Sequence, residues 1–481
     1  MTSRGTPGAG NPTPAADPKS PQGEDISDAV PAEAVEDNAE PPPIAAKPAG
    51  RFGRDALTVA NSRLITRAAT FVTGIVIARL LGPEGRGLVA ALTVPAGLAA
   101  SLAELGTRQA TAYHVGRNTF PLPQLVATLL GMLPFASALA ILGSLGYYRL
   151  SNLGSHPFTF ELLAVAAVPS SIGTAYVTGV LLGRGKITRF SRASWMPAVI
   201  TLLFVLIGAW GLGWNIRGIL IGTALGNAVG FGYALSILRK EAPLAVKLDR
   251  TIVRAVQRLG LTYALATFVL LLLLKVMILL LSRLSTLAEV GLYAQAAAIA
   301  EIVLEIPTMM TAILFSRAVM ATDKDAMSRK VATLARVTLV FTVMVSMGVG
   351  ITAPFIFPLI YGESYAASGT ICILLLPGVV GLVFFRLIQQ DIHARGKAWI
   401  TTAVAIPTLI LTVAMGYVLA LEYGAAGAAV ASSTGYVLAA IVYAFAYTRL
   451  IGITMGDLLR FRRSDFDLLR RSLPIPARFR R

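Results

Sequence analysis

The chain has 481 residues, of which 55% are hydrophobic and 14% charged, with a mean hydropathy of +0.69. Soluble proteins carry about 25% charged residues, and a single aqueous core stops growing near roughly 250–300 residues. A soluble enzyme is therefore excluded and the bilayer is the expected solvent. Lys and Arg number 42 against 25 Asp and Glu, a net of +17 that must sit where water or anionic lipid reaches it.

Residues 1–50 are Pro- and Ala-rich and acidic, with a net charge of −5. They read as a disordered tail, not a secretory signal, because no apolar stretch follows a short basic start. The remainder carries +22. Twelve apolar runs of about 20 residues follow, the length a bilayer-crossing helix needs. They are Leu57–Leu80, Gly87–Tyr113, Gln124–Tyr147, Phe158–Leu182, Ser194–Gly213 and Gly218–Leu238. After a basic connection, 239–258, come Leu259–Ser282, Gly291–Phe315, Val337–Pro358, Ala366–Gln390, Trp399–Leu421 and Ala426–Thr448. The expected organisation is a tail (1–50), a six-helix bundle (51–238), a cytoplasmic linker (239–258), a second bundle (259–448) and a basic tail (449–481). With the N-terminus inside, thirty basic residues fall on the cytoplasmic side and five on the outer side, which predicts both termini in the cytoplasm. Leu and Phe alternate with Arg from Asp457 to Arg471, the pattern of a helix lying on anionic inner-leaflet lipid. A nucleic-acid role is not expected of it.

Cys372 is the single cysteine, and the three histidines are scattered, so no disulfide, cofactor or metal site is expected. There is no phosphate-binding Gly-rich loop ending in Lys and Ser or Thr, and outer connections are too short for a catalytic domain. An enzyme is not expected.

The chain also echoes itself. Gly185-Lys186 after the fourth run matches Gly396-Lys397 after the tenth, and the turn Leu81 to Leu88 has a looser counterpart in Leu284 to Tyr293. An even six-plus-six period gives two halves of the same orientation, a parallel repeat about an axis along the membrane normal, with a site expected between the halves.

Charges inside runs are costly and mark functional candidates. Arg63, Arg67, Arg108, Lys275 and Arg386 are the basic ones; Glu104, Glu301 and Glu305 the acidic ones. At about 1.5 Å per residue, Arg67 and Lys275 lie near mid-membrane, whereas Arg108 and Arg386 sit nearer the cytoplasmic end. Two readings stand. The basic residues line a cavity for an anionic cargo, with Glu301 and Glu305 available to a coupling ion. Alternatively Lys275–Glu301, at matching depths on adjacent runs, and Glu104–Arg108, four apart on one helix, only neutralise each other. Tyr113, Tyr176, Tyr263, Tyr361 and Tyr365 fit either sugar stacking or an interfacial belt.

The first hairpin, with its core Ala78-Arg79-Leu80-Leu81-Gly82-Pro83-Glu84-Gly85-Arg86-Gly87, resembles that of bacterial polysaccharide-biosynthesis flippases. Leu102 to Gly106 and Glu289-Val290-Gly291-Leu292-Tyr293 followed by Glu301 fit the same pattern, and the resemblance covers about Asp55 to Leu450. These are O-antigen-type flippases of the superfamily that also holds the drug and cation antiporters and the lipid II flippases. The resemblance implies an all-helical fold of twelve spans in two six-helix bundles. It also implies alternating access in the cytoplasmic membrane, a polyprenyl-pyrophosphate-linked oligosaccharide as cargo, and polysaccharide assembly proteins as partners. Lipid II flippases carry two further helices that hold the lipid tail, which twelve spans do not supply. An ion-coupled drug or cation antiporter on the same fold, and a non-transporting scaffold, are the alternative functions.

Overall fold

Gly82 turns the first long helix back on itself. It takes φ 63° and ψ −175° inside Ala49–Glu104 (α1), a conformation open to glycine and strained for other residues. Pro83 follows, where its missing N–H costs nothing at a helix start. A straight helix of 56 residues would run roughly 84 Å, far more than a bilayer, so the turn makes it two spans. The same device recurs at Gly424 (φ 56°, ψ −133°) inside Trp399–Ile451 (α12). There the freed N–H of Ala425 donates to the Glu289 carboxylate at 2.7 Å, an N-cap supplied by another helix.

The computed structural model describes residues 49–151, 156–305, 324–395, 397, 399–452 and 454–459. The helices between α1 and α12 are α2 (Thr107–Gly116), α3 (Leu122–Leu150), α4 (Phe158–Ala166), α5 (Val168–Gly183), α6 (Ile187–Val205), α7 (Asn215–Leu238), α8 (Arg250–Leu284), α9 (Leu287–Val303), α10 (Lys324–Tyr361) and α11 (Ala366–Ala394), and α13 (Met455–Leu459) ends the series. Among the described residues there is no strand, and nine helices are long and apolar enough to cross a membrane; α1 with α2 (60 residues from Leu57) and α12 (53 residues) each exceed twice the needed length. The chain is thus a multi-pass, all-helical membrane protein.

Several expected runs are subdivided. The second breaks at Leu105 and Gly106, both left-handed (φ 48° and 66°), so α2 is a separate helix. The fourth breaks at Ala167, one residue after α4, where Pro169 occupies the first turn of α5. The fifth ends in a π-helical turn, Leu206–Gly211. The eighth is described only to Glu305, and its expected end at Phe315 lies outside the described residues. The acidic tail falls almost wholly outside them, as does most of the expected surface helix after Leu459.

The connection 239–258 is partly helical. Asp249 accepts from the N–H groups of Thr251 (2.9 Å) and Ile252 (3.3 Å) and so starts α8 well before its apolar run. Glu241 pairs with Arg189 and, at 3.7 Å, with Arg184, and Lys247 N–H donates to Ala127 O at 3.1 Å. The connection is thereby tied to the first half.

Two large apolar cores divide the helices. One is built around Leu92, Leu125, Val180 and Leu220, and the first turns of α8 (Ile252, Val256) belong to it. The other is built around Val290, Leu382, Phe385 and Tyr443, and Ala78, with Phe71 and Ile75 beside it, reaches into it from α1. Each half therefore lends a helix to the other.

The halves meet backbone to backbone at the hairpin end. A Cβ on Gly87 would lie 1.7 Å from Leu287 O, and one on Gly291 would lie 1.9 Å from Pro83 O. The two contacts exchange on shifting the numbering by 204 positions, the approximate offset between the turn Leu81 to Leu88 and its looser counterpart Leu284 to Tyr293. Tyr147 Oη of α3 also meets Ser282 Oγ (3.1 Å) of α8. Gly87→Val should lower stability by about 1–3 kcal/mol or more, the cost of overpacking. Gly97→Ala, with open space around it, should be neutral or slightly stabilising. Thermal unfolding in detergent checks both.

Candidate functional site: a charged cavity between the halves

Four helical stripes enclose a cavity of about 250 Å3. From the first arm of α1 come Arg67, Thr70, Phe71 and Gly74, spaced i, i+3, i+4 and i+7. The second arm presents Arg86, Ala90, Thr93 and Val94, spaced i, i+4, i+7 and i+8 on one helix face. α8 contributes Lys275 and Ile278, and α9 contributes Ala294, Gln295, Ala298 and Glu301. Gly74, Ala90, Ala294 and Ala298 carry little or no side chain, and their small size leaves the space. From Arg67 to Arg86 the cavity extends roughly 16 Å along the bilayer normal, allowing for the turn at Gly82.

Its charges are partly paired. Lys275 Nζ donates to both oxygens of Glu301, at 2.7 and 2.9 Å. Arg67 forms a close ion pair with Glu305, and Arg63 approaches the same carboxylate at 4.0 Å. Arg63 and Arg67 keep 46% and 48% of their side-chain surface exposed while Glu305 keeps 16%. Each guanidinium therefore has donors left over for another anion. Arg386 on α11 lies within the field of Glu301, Glu305, Arg67 and Arg63, and its Nε is buried without a hydrogen-bond partner. Arg86 stands at the closed end; its Nε donates to Gln295 Oε1 at 3.2 Å, and no ion pair holds it among the described residues. Four cations thus gather around two carboxylates, and Arg86 lines the same cavity at its closed end.

Of the residues singled out from sequence, Arg63, Arg67, Lys275, Arg386, Glu301 and Glu305 come together here. Arg108 does not: it is exposed on α2, beyond the break at Gly106, beside Glu104. Tyr176, Tyr361 and Tyr365 are buried at 2%, 2% and 0% exposure, so no sugar reaches them in this state. Arg86 and Gln295 were not singled out, because an outer-loop assignment hid Arg86 and an apolar helix hid Gln295. The spacing Arg86–Ala90–Thr93–Val94 was the available signal.

A profile of the polysaccharide biosynthesis protein family matches residues 76–370. A search of curated proteins returns no match. Among solved structures, the lipid II flippase MurJ in an inward closed conformation is similar at TM-score 0.71 and 14% identity, over 86% of this chain and 91% of that one. An inward-facing multidrug resistance MATE family transporter of the MOP superfamily is similar at TM-score 0.66 and 16% identity, over 82% and 98%. A MOP superfamily transporter from Pyrococcus furiosus is similar at TM-score 0.55 and 16% identity, over 83% and 95%. These likenesses establish a MATE-like and MurJ-like fold, and with more than half of its length matched by the profile, the chain belongs to the polysaccharide biosynthesis protein family.

Proposed function

We propose that this protein is a flippase. It carries a polyprenyl-pyrophosphate-linked oligosaccharide from the inner to the outer leaflet of the cytoplasmic membrane by alternating access. The observation that carries the reading is the gathering of Arg63, Arg67, Lys275 and Arg386 around only Glu301 and Glu305, with Arg86 lining the same cavity at its closed end, on helices from both halves. A pyrophosphate leaving water needs such partners, and guanidinium groups pair with phosphate oxygens two at a time. Family membership and the flippase name of the MurJ structure favour the same cargo class.

In this reading the N- and C-termini are cytoplasmic, and six spans precede and six follow the 239–258 connection. The Gly87–Gly291 contact then seals the outer side, and the cargo enters at the level of Arg67. A coupling ion bound at Glu301 or Glu305 would release Lys275 or Arg67 toward the cargo. The cation-antiporter alternative requires an acidic cavity. Here both carboxylates are already engaged by cations, so a cationic drug would face net repulsion. Polysaccharide assembly proteins and anionic inner-leaflet lipids are the proposed partners.

Deleting the gene should make a lipid-linked glycan accumulate on the cytoplasmic face, as read by lectin or glycosidase access in oriented vesicles. Restoration by the wild type and at least tenfold weaker restoration by Arg86→Gln are expected. Unchanged surface polysaccharide with lowered resistance to cationic drugs would overturn the reading in favour of the antiporter. The ion pair makes a separate prediction. Lys275→Met alone removes the hydrogen-bonded partner of Glu301 and should cost about 1–2 kcal/mol, less than breaking a fully buried pair would, because both side chains are partly exposed. Lys275→Met with Glu301→Gln should recover most of that loss in thermal melts.

A further inference from the structure

A second hollow, of about 1000 Å3, lies away from the charged cavity, between α3 and the start of α8. Its α3 wall is Met132, Phe135, Ala136 and Leu139, one helix face at i, i+3, i+4 and i+7. Phe135 and Leu139 are 66% and 62% exposed, as a wall open to lipid requires. The α8 wall changes character along one stripe. Arg250, Arg254 and Arg258 come first and Leu261 follows. The rise from Arg250 to Leu261 is roughly 16 Å, enough to pass from water through the headgroup layer into hydrocarbon.

The first two arginines of the stripe are not consumed internally. Arg250 and Arg254 form no ion pair among the described residues, and Asp249 beside them is committed to capping Thr251 and Ile252. At the floor lie the buried hydroxyls of Tyr176 and Thr107, close to one another but with no well-formed hydrogen bond. On the other flank of α8, a second apolar slot of about 620 Å3 shares Leu261 and continues past Leu265 to Trp399 and Ile406 of α12. Leu261 is therefore shared by two slots: the arginine stripe lies in the first, and the second continues along α8 beyond Leu261.

We propose that this is a binding site for a two-chain anionic phospholipid of the inner leaflet. The phosphate sits on Arg250 and Arg254, one chain follows the α3 face, and the other lies between α8 and α12. The placement in the inner leaflet rests on the cytoplasmic position of 239–258 argued above. Two slots that share Leu261 match two chains, whereas a single-chain polyprenyl carrier fills only one. The lipid clasps the cytoplasmic seam of the molecule. α8 belongs to the second half but buries Ile252 and Val256 in the core of the first, so a lipid held across α3, α8 and α12 braces both halves where they part.

The test uses the purified full-length protein in bilayers and a local readout. A tryptophan is added at the wall (Phe135→Trp) or, as a control, at Met347, which is 62% exposed at similar expected depth on α10. Quenching of the added fluorescence by chain-brominated phosphatidylglycerol is compared with that by chain-brominated phosphatidylcholine. A preference for phosphatidylglycerol of roughly tenfold is expected at position 135, and near unity at 347. Arg250→Gln with Arg254→Gln should abolish the preference. If that pair fails to fold, Ala136→Phe, which fills the α3 slot and spares the arginines, should reduce it instead. Equal preference at the two positions, a preference that survives both variants, or stronger displacement by polyprenyl phosphate than by unlabelled phosphatidylglycerol would overturn the proposal. These outcomes do not bear on glycan translocation, so the two readings fail separately.

Discussion

Two glycines with no side chain between them set the geometry on which the rest depends. Gly87 and Gly291 let the second arm of α1 and the start of α9 touch through their backbones, at Leu287 O and Pro83 O. That contact closes one end of the cavity and brings Arg86 within 3.2 Å of Gln295. The helical periodicity below it then fixes which residues face inward. Arg86 leads to Ala90, Thr93 and Val94 on one side, and Ala294 leads to Ala298 and Glu301 on the other. Any side chain at either glycine would push the two arms apart and open the closed end.

The electrostatic design follows from that enclosure. Cations in a low-dielectric setting need partners, and here three of them share two carboxylates: Glu305 holds Arg67 and approaches Arg63, while Glu301 is taken by Lys275. The surplus falls on Arg86 and Arg386. A surplus is costly in an empty dry cavity, tolerable in a wet one, and favourable when an anion arrives. In the proposed function the pairs would make the site switchable: an arriving phosphate would compete with Glu301 and Glu305 for the same cations, so that occupancy and loosening of the inter-helix pairs would be one event.

Much of this was legible from residues alone. The apolar runs, the hairpin at Gly82 and the repeat relating it to Gly291 follow from composition and spacing. The Lys275–Glu301 pair was one of two readings that matching depths on neighbouring helices left open, and the two side chains do meet. The Arg67–Glu305 pair was not legible, because it joins the two halves and no local pattern reports an approach 238 positions apart. Arg108 was grouped with the cavity because a continuous helix was assumed; two left-handed residues, Leu105 and Gly106, end that helix first. Arg86 was placed in an outer loop because topology counts treat hairpin residues as loop. The turn at Gly82 is so tight that helix resumes at once and carries Arg86 inward.

The central claim is that this cavity moves an anionic lipid-linked glycan. The most direct measurement is translocation in proteoliposomes that hold the purified full chain and a polyprenyl-pyrophosphate-linked oligosaccharide bearing a fluorophore on its glycan, with a membrane-impermeant quencher outside. The account predicts protein-dependent transfer between leaflets that falls at least tenfold when Arg67 and Arg86 are both changed to Gln, with thermal stability kept. Transfer no faster than in empty liposomes, or transfer indifferent to those two arginines, would contradict it.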